Sequence, residues 1–268
     1  MGIVAGYCVP HPPLIIPGCG KGQERTIQAT VDAYEEVGRR IASHAPDTIV
    51  VTSPHAPAYA DAFALCGSSW LNGDFSEWDA PDELLSFKTD ELVNQRIIDL
   101  ASRAGVPVST PAWRGASMDH ATFIPLWFVN KHYRDFNVVV LGLSGLDGEA
   151  HRLLGRAISQ TLRELNRKAV FIASGDMSHK LKESGPYGYD AQGPAFDTLV
   201  CEIFKRNKLE LLFGLEDDMI EGAAECGLRS FEILAGALDG LQTASELLSY
   251  EGPFGVGYAV AAFEVSHG

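Results

Sequence analysis

Thr48-Ile49-Val50-Val51-Thr52-Ser53-Pro54-His55-Ala56-Pro57 is the stretch whose reading decides the fold. Its first five residues form a β-branched apolar run with the length and composition of a buried strand. The prolines at 54 and 57 end that run, forbid helix around His55 and hold its loop in extended or turn geometry. Cys8-Val9-Pro10-His11-Pro12-Pro13 repeats the device after a weaker run, Ile3-Val4-Ala5-Gly6-Tyr7. Two imidazoles are thus expected on rigid loops at strand ends, where open α/β sheets build their sites.

Outward from this stretch, strand-like and helix-like segments alternate. Ile27, Val31, Tyr34, Val37 and Ile41 give helical spacing to the segment 23–43. Thr89-Asp90-Glu91 reads as the N-cap of a helix running to about Arg103, and Val106-Pro107-Val108 as a short strand. Asp119-His120 opens another helix, carried on by the apolar residues 123–129. Segments 137–143 and 169–173 read as buried strands, with an amphipathic helix over 149–168 between them. Two or three helices are expected between about Pro194 and Leu238, and residues 257–265 as the strand that closes the sheet. Gly67-Ser68-Ser69 and Asn72-Gly73-Asp74 are turn signals that make the region after His55 read as loop. No repeat or linker divides the chain. The order predicts one α/β domain over residues 1–268, a mostly parallel central sheet with helices on both faces.

The composition, 46% hydrophobic and 21% charged over 268 residues, is that of an ordinary globular protein. A net charge of −14 argues against nucleic acid or an anionic membrane as partner, since both demand a cationic footprint. It does not constrain a small substrate. Five cysteines at irregular spacing, with no CxxC pair, read as reduced thiols of a cytoplasmic protein. The N-terminus shows no signal-peptide pattern, and no apolar run reaches the ~18 residues of a membrane span.

Of eight histidines, His11, His55, His120 and His179 fall at element junctions, and the last closes the run Ser174-Gly175-Asp176-Met177-Ser178-His179. His44, His132 and His151 read as structural or solvated residues on the polar sides or ends of helices, and His267 as part of a frayed tail. Two histidines require one further ligand to make a facial metal site with open positions. Glu225, bracketed by small residues in Glu221-Gly222-Ala223-Ala224-Glu225-Cys226-Gly227, is the candidate carboxylate, and it can equally be an ordinary helix-surface residue. Cys226 is the competing donor and would favour a softer metal. Cys/His spacings of the zinc-finger kind are absent from the sequence. Asp119 and Asp176 could orient imidazoles or simply cap turns, and the segment 186–197 with Tyr187, Tyr189 and Gly193 reads more as a plain surface loop than as the lining of a substrate mouth.

These segments together resemble the catalytic subunit of class III extradiol ring-cleavage dioxygenases, a superfamily that includes the Memo-like proteins. The resemblance spans nearly the whole chain. It rests on Pro-His-Pro-Pro at His11, Ser-Pro-His at His55, Asp119-His120 with Pro125-Leu126, the run ending at His179, and Gly236-Ala237-Leu238 after a glutamate-bearing segment. It implies an Fe(II) cofactor, with another divalent ion such as zinc able to occupy the site, held by His11, His55 and Glu225. His120 and His179 would then handle protons and dioxygen, with His179 as acid–base. The implied substrates are a small aromatic diol or aminophenol and O₂. The implied assembly is a homo-oligomer, with a second domain or subunit as a further partner. In Memo-like relatives a cysteine takes the carboxylate's place, so the alternative is a metal-binding or non-dioxygenase protein acting on another substrate or a protein partner.

Overall fold

The structure, a computed structural model, describes residues 1–111 and 117–266. Its elements, in chain order, are β1 Ile3–Val9, α1 Pro17–Gly20, α2 Gln28–His44, β2 Thr48–Ser53, β3 Phe63–Ala64, β4 Trp70–Phe75, β5 Ala80–Lys88, α3 Glu91–Arg103 and β6 Val108–Ser109. They continue with α4 His120–His132, β7 Asn137–Gly142, α5 Gly148–Glu164, β8 Ala169–Ser174, α6 Gln192–Lys205, α7 Asp217–Ala223, α8 Leu228–Leu238, β9 Thr243–Glu251 and β10 Tyr258–Val265.

Six strands form the central sheet in the order β7-β2-β8-β1-β10-β9. The four from β7 to β1 run parallel, and β10 and β9 add antiparallel to one side. Because the strands are buried on both faces, apolar residues at alternate positions serve two cores. Val50, Val139 and Phe171 face a core built with α3, α5, α6 and α8. Ile49, Val51, Val138, Val140 and Ile172 face the opposite core, built with α2 and α4. The expected α/β class, with a mostly parallel sheet and helices on both faces, is the observed one.

The structure departs from the sequence reading at particular places. The region after His55 contains a hairpin, β4 paired antiparallel with β5, and Asn72-Gly73-Asp74 lies inside β4 rather than in a turn. A Cβ at Gly73 would come within 3.0 Å of both Met118 and Phe123, so the glycine marks a close approach of the hairpin to the start of α4. The strand at 257–265 lies between β1 and β9 and does not close the sheet. The edge strand on that side is β9, whose sequence Thr-Ala-Ser-Glu-Leu-Leu-Ser-Tyr-Glu has no continuous apolar run because it is at most half-buried. His151, expected on a polar helix face, is fully buried in α5 in line with Leu154, Ile158 and Leu162, its Nδ1 2.8 Å from the Asp147 carbonyl. His44 and His132 match the expectation, paired with Glu264 at 2.8 Å and Glu35 at 2.7 Å. His267 lies outside the described residues.

Candidate metal centre

β2, β8 and β1 are adjacent and parallel, so the loops leaving their C-terminal ends converge. The first carries His55, the second Asp176 and His179, and the third His11. His11 and His55 face each other with their Nε2 atoms 3.2 Å apart. Cys226, on the loop before α8, brings its Sγ to 3.6 Å from His11 Nε2. The ligand atoms of His11, His55 and Cys226 all lie within 4.8 Å of one another. Nitrogens at ~2.1 Å and a sulfur at ~2.3 Å from one tetrahedral ion would be separated by about 3.4 Å (N···N) and about 3.6 Å (N···S). The observed separations fit a shared metal.

Glu225, expected as the carboxylate ligand, is placed differently. Its Oε2 accepts the N–H of Leu228 at 2.6 Å, satisfying one of the donors left open at the first turn of α8. Burial raises its carboxyl to about 7. The two residues differ because the chain bends at Ala224, which adopts φ 49°, just past α7. Among the described residues, the group able to hold a metal contains Cys226 and not Glu225.

The surrounding residues fix this arrangement. His11 is anchored on its far side, Nδ1 lying 3.1 Å from Ser174 Oγ, which directs Nε2 toward the cluster. The His11 backbone N–H donates to Asp176 Oδ1 at 2.7 Å. The Asp176 N–H donates to Cys226 Sγ at 3.3 Å, and the Cys226 N–H returns to the Asp176 carbonyl at 3.4 Å. A Cβ at Gly175 would lie 2.1 Å from Gly227 Cα. Glycine at both positions therefore lets the two backbones touch and seats the cysteine beside the histidines.

Burial, together with the neighbouring His55 and His179, keeps the His11 imidazole well below its usual pKa, which leaves it neutral and able to ligate. Burial likewise pushes the Cys226 thiol up, with the Asp176 charge adding to the effect. A metal binding here would have to displace that proton, so affinity would rise with pH.

His120 opens α4 with its ring centroid 4.3 Å from that of His55 and 5.3 Å from that of His11. Burial, then the two histidines, lowers its pKa to about 3, so it is neutral at any ordinary pH. Asp119 is held by its own duties: it accepts the Thr122 N–H at 3.0 Å, capping α4, and the Ser53 hydroxyl at 2.6 Å. It orients the helix that carries His120, not an imidazole.

The His179 loop is held on two sides. His179 N–H and Ser178 Oγ both donate to the Ala223 carbonyl, at 3.0 and 2.9 Å. Buried Asp197 accepts the Ser178 N–H at 2.8 Å and the Tyr250 hydroxyl at 2.7 Å. The His179 ring stands edge-on to Tyr187, 5.2 Å between centroids, and its Nδ1 is buried without a hydrogen-bond partner among the described residues.

A cavity of about 550 Å³ opens beside the cluster, lined by His55, Phe75, Trp78, Met118, Asp119 and His120 among others. Trp78, from the turn of the β4–β5 hairpin, sets its ring 5.3 Å from His120. Sequence reasoning missed Trp78 because the hairpin read as loop. It missed Ser174 as the His11 anchor, although Ser174 opens the very run that ends in His179.

The family model for the catalytic LigB subunit of aromatic ring-opening dioxygenase matches residues 5–261. Protein CA_C1420 of Clostridium acetobutylicum is 36% identical over 98% of this chain, which spans only 58% of that relative's length. A MEMO1 family protein of Methanococcoides burtonii is 26% identical over 80% of this chain and 74% of its own. The 2-aminophenol 1,6-dioxygenase beta subunit of a Pseudomonas species is 22% identical over 98% of this chain and 94% of its own. The crystal structure of uncharacterized protein JW3007 from Escherichia coli K12 shares the fold, with a TM-score of 0.63 at 15% identity over 97% of this chain and 99% of its own. With a family match over nearly its whole length, the chain belongs to the family of the catalytic LigB subunit of aromatic ring-opening dioxygenases.

Proposed function

We propose that this chain is a metal-dependent oxygenase of the ring-opening type, acting with O₂ on a catechol or aminophenol and holding Fe(II) through His11, His55 and Cys226. The observation that carries the reading is the convergence of three donor atoms close enough to share one ion, beside a cavity lined by His55 and His120. A metal there would supply Lewis acidity toward a ring hydroxyl and redox access to O₂. His120, held neutral, offers a hydrogen bond to a substrate oxygen in the cavity. His179, on the loop that leaves β8 and near enough to His11 to influence its charge, is the group we assign to accept the ring hydroxyl's proton and return it to the product. Trp78 and Phe75 line the cavity and give the reacting ring an aromatic wall to pack on.

A second reading is favoured by one observation, the thiolate donor. A cysteine in place of a carboxylate suits a softer metal and fits a Memo-like protein that binds metal without opening a ring. The test is anaerobic reconstitution with Fe(II), followed by O₂ uptake and a yellow ring-opened product over a panel of catechols and aminophenols. Turnover lost in His11→Ala and His55→Ala supports the oxygenase reading. Stoichiometric metal with no turnover on any substrate selects the second.

A further inference from the structure

The cavity beside the histidines has a charge pattern that the proposed reaction leaves unexplained. Between positions 74 and 83 the hairpin carries Asp74, Glu77, Asp79, Asp82 and Glu83 and no basic residue. Three of the five have partners: Asp79 lies 3.9 Å from the Lys21 ammonium, Glu83 accepts the Trp127 Nε1–H at 2.7 Å, and Asp74 accepts the Ser76 backbone N–H at 2.9 Å, which leaves its charge uncompensated. Asp74 and Glu77 line the cavity itself, and among the described residues neither is in an ion pair and no lysine or arginine joins them in the lining. The two sit on either side of Phe75, on the strand and turn that present Trp78 to His120. A ring held against Trp78 would thus lie in a cavity whose lining also holds two carboxylates and an aromatic face, an environment that attracts a cation and repels an anion.

We propose that the cavity selects aromatic substrates whose side group is cationic or neutral over those bearing a carboxylate, with Asp74 and Glu77 as the specificity-determining residues and Trp78 as the ring platform. This rests on the ring-substrate reading of the site. The carboxylates are exposed, so solvent and salt temper their pull. Two such solvent-exposed charges at the mouth of the cavity set a preference of up to about tenfold between ligands of opposite charge at low salt.

The test is binding without turnover, using the full chain loaded with Zn(II), a redox-silent ion, under anaerobic conditions. Calorimetry would compare ethylcatechol, aminoethylcatechol and dihydroxyphenylacetate, which share the ring diol and differ in side-group charge. The expected order is amine tightest, neutral next and acid weakest. The gap should shrink as salt rises and collapse in the Asp74→Asn/Glu77→Gln double variant, while ethylcatechol affinity stays constant. Acid binding as tightly as amine, or an order that survives in the double variant, overturns the proposal. Failure of ethylcatechol itself to bind overturns the ring-diol reading and this inference with it, whereas ethylcatechol binding without a charge order overturns this inference alone.

Discussion

Gly175→Ala probes how the metal group is assembled without touching any ligand. The added Cβ would lie 2.1 Å from Gly227 Cα, where ordinary contact begins near 3.4 Å, so the two backbones must part by about 1.3 Å. Cys226 is the residue before Gly227, and its Sγ sits 3.6 Å from His11 Nε2 and 3.3 Å from the Asp176 amide. Metal–ligand distances tolerate only ~0.2 Å, so a displacement of this size should take the sulfur out of reach of a shared ion. The expected outcome is a 10–100-fold loss of metal affinity, the range seen when supports of a metal ligand are disturbed. Overpacking should also cost about 1–3 kcal/mol. Gly236→Ala is the control. Its Cβ would meet the Arg152 carbonyl oxygen at the same 2.1 Å, but in the contact between α8 and α5, away from the cluster. Both variants should melt several degrees lower, at ~2–4 °C per kcal/mol for a chain of this size. Only Gly175→Ala should lose metal in chelator competition. Equal metal affinity in the two variants would refute the idea that the Gly175–Gly227 contact seats the thiolate.

Ser174→Ala removes the partner of His11 Nδ1 and should weaken metal binding about tenfold or more while leaving the fold intact, checked by chelator competition and circular dichroism. Glu225→Ala should cost about 1 kcal/mol through loss of the acceptor for the Leu228 N–H, with full metal content retained in elemental analysis. Asp197 supplies a pH test. Burial raises its folded-state pKa to about 6 from an ordinary 3.8, so its ionisation destabilises the native state above about pH 6 and that penalty fades as pH falls toward 4. The stability of Asp197→Asn relative to the unmodified chain should thus rise between pH 4 and pH 7.5, by up to about 3 kcal/mol for a rise from 3.8 to about 6. A flat difference in denaturant titrations at the two pH values would contradict it.

Much of the fold was legible because its parallel strands are buried on both faces. A doubly buried strand must be apolar through its middle, and Thr48–Ser53, Asn137–Gly142 and Ala169–Ser174 carry Ile-Val-Val, Val-Val-Val-Leu and Val-Phe-Ile-Ala there, with small polar residues only toward the ends. The edge strand β9 and the β4–β5 hairpin follow no such rule. They are partly solvated, and Gly73 carries a turn signal for a reason, close packing on Met118 and Phe123, that only tertiary structure supplies. The histidines were legible as a set because proline and strand ends fix where they emerge. The third candidate donor was not. Glu225 and Cys226 are adjacent in sequence, and which one turns inward depends on the left-handed Ala224 and on the contact of Gly227 with Gly175. Asp119 read equally well as an orienting acid or a cap, and the Ser53 hydroxyl and the Thr122 amide show it to be a cap.

The central claim, that His11, His55 and Cys226 form one metal site, is tested most directly by the electronic spectrum of the Co(II)-loaded protein. One equivalent of Co(II) should bind and give a sulfur-to-metal charge-transfer band in the near ultraviolet, lost in Cys226→Ser and unchanged in Glu225→Gln. A band that persists without Cys226, or metal binding that disappears with Glu225 alone, would contradict it.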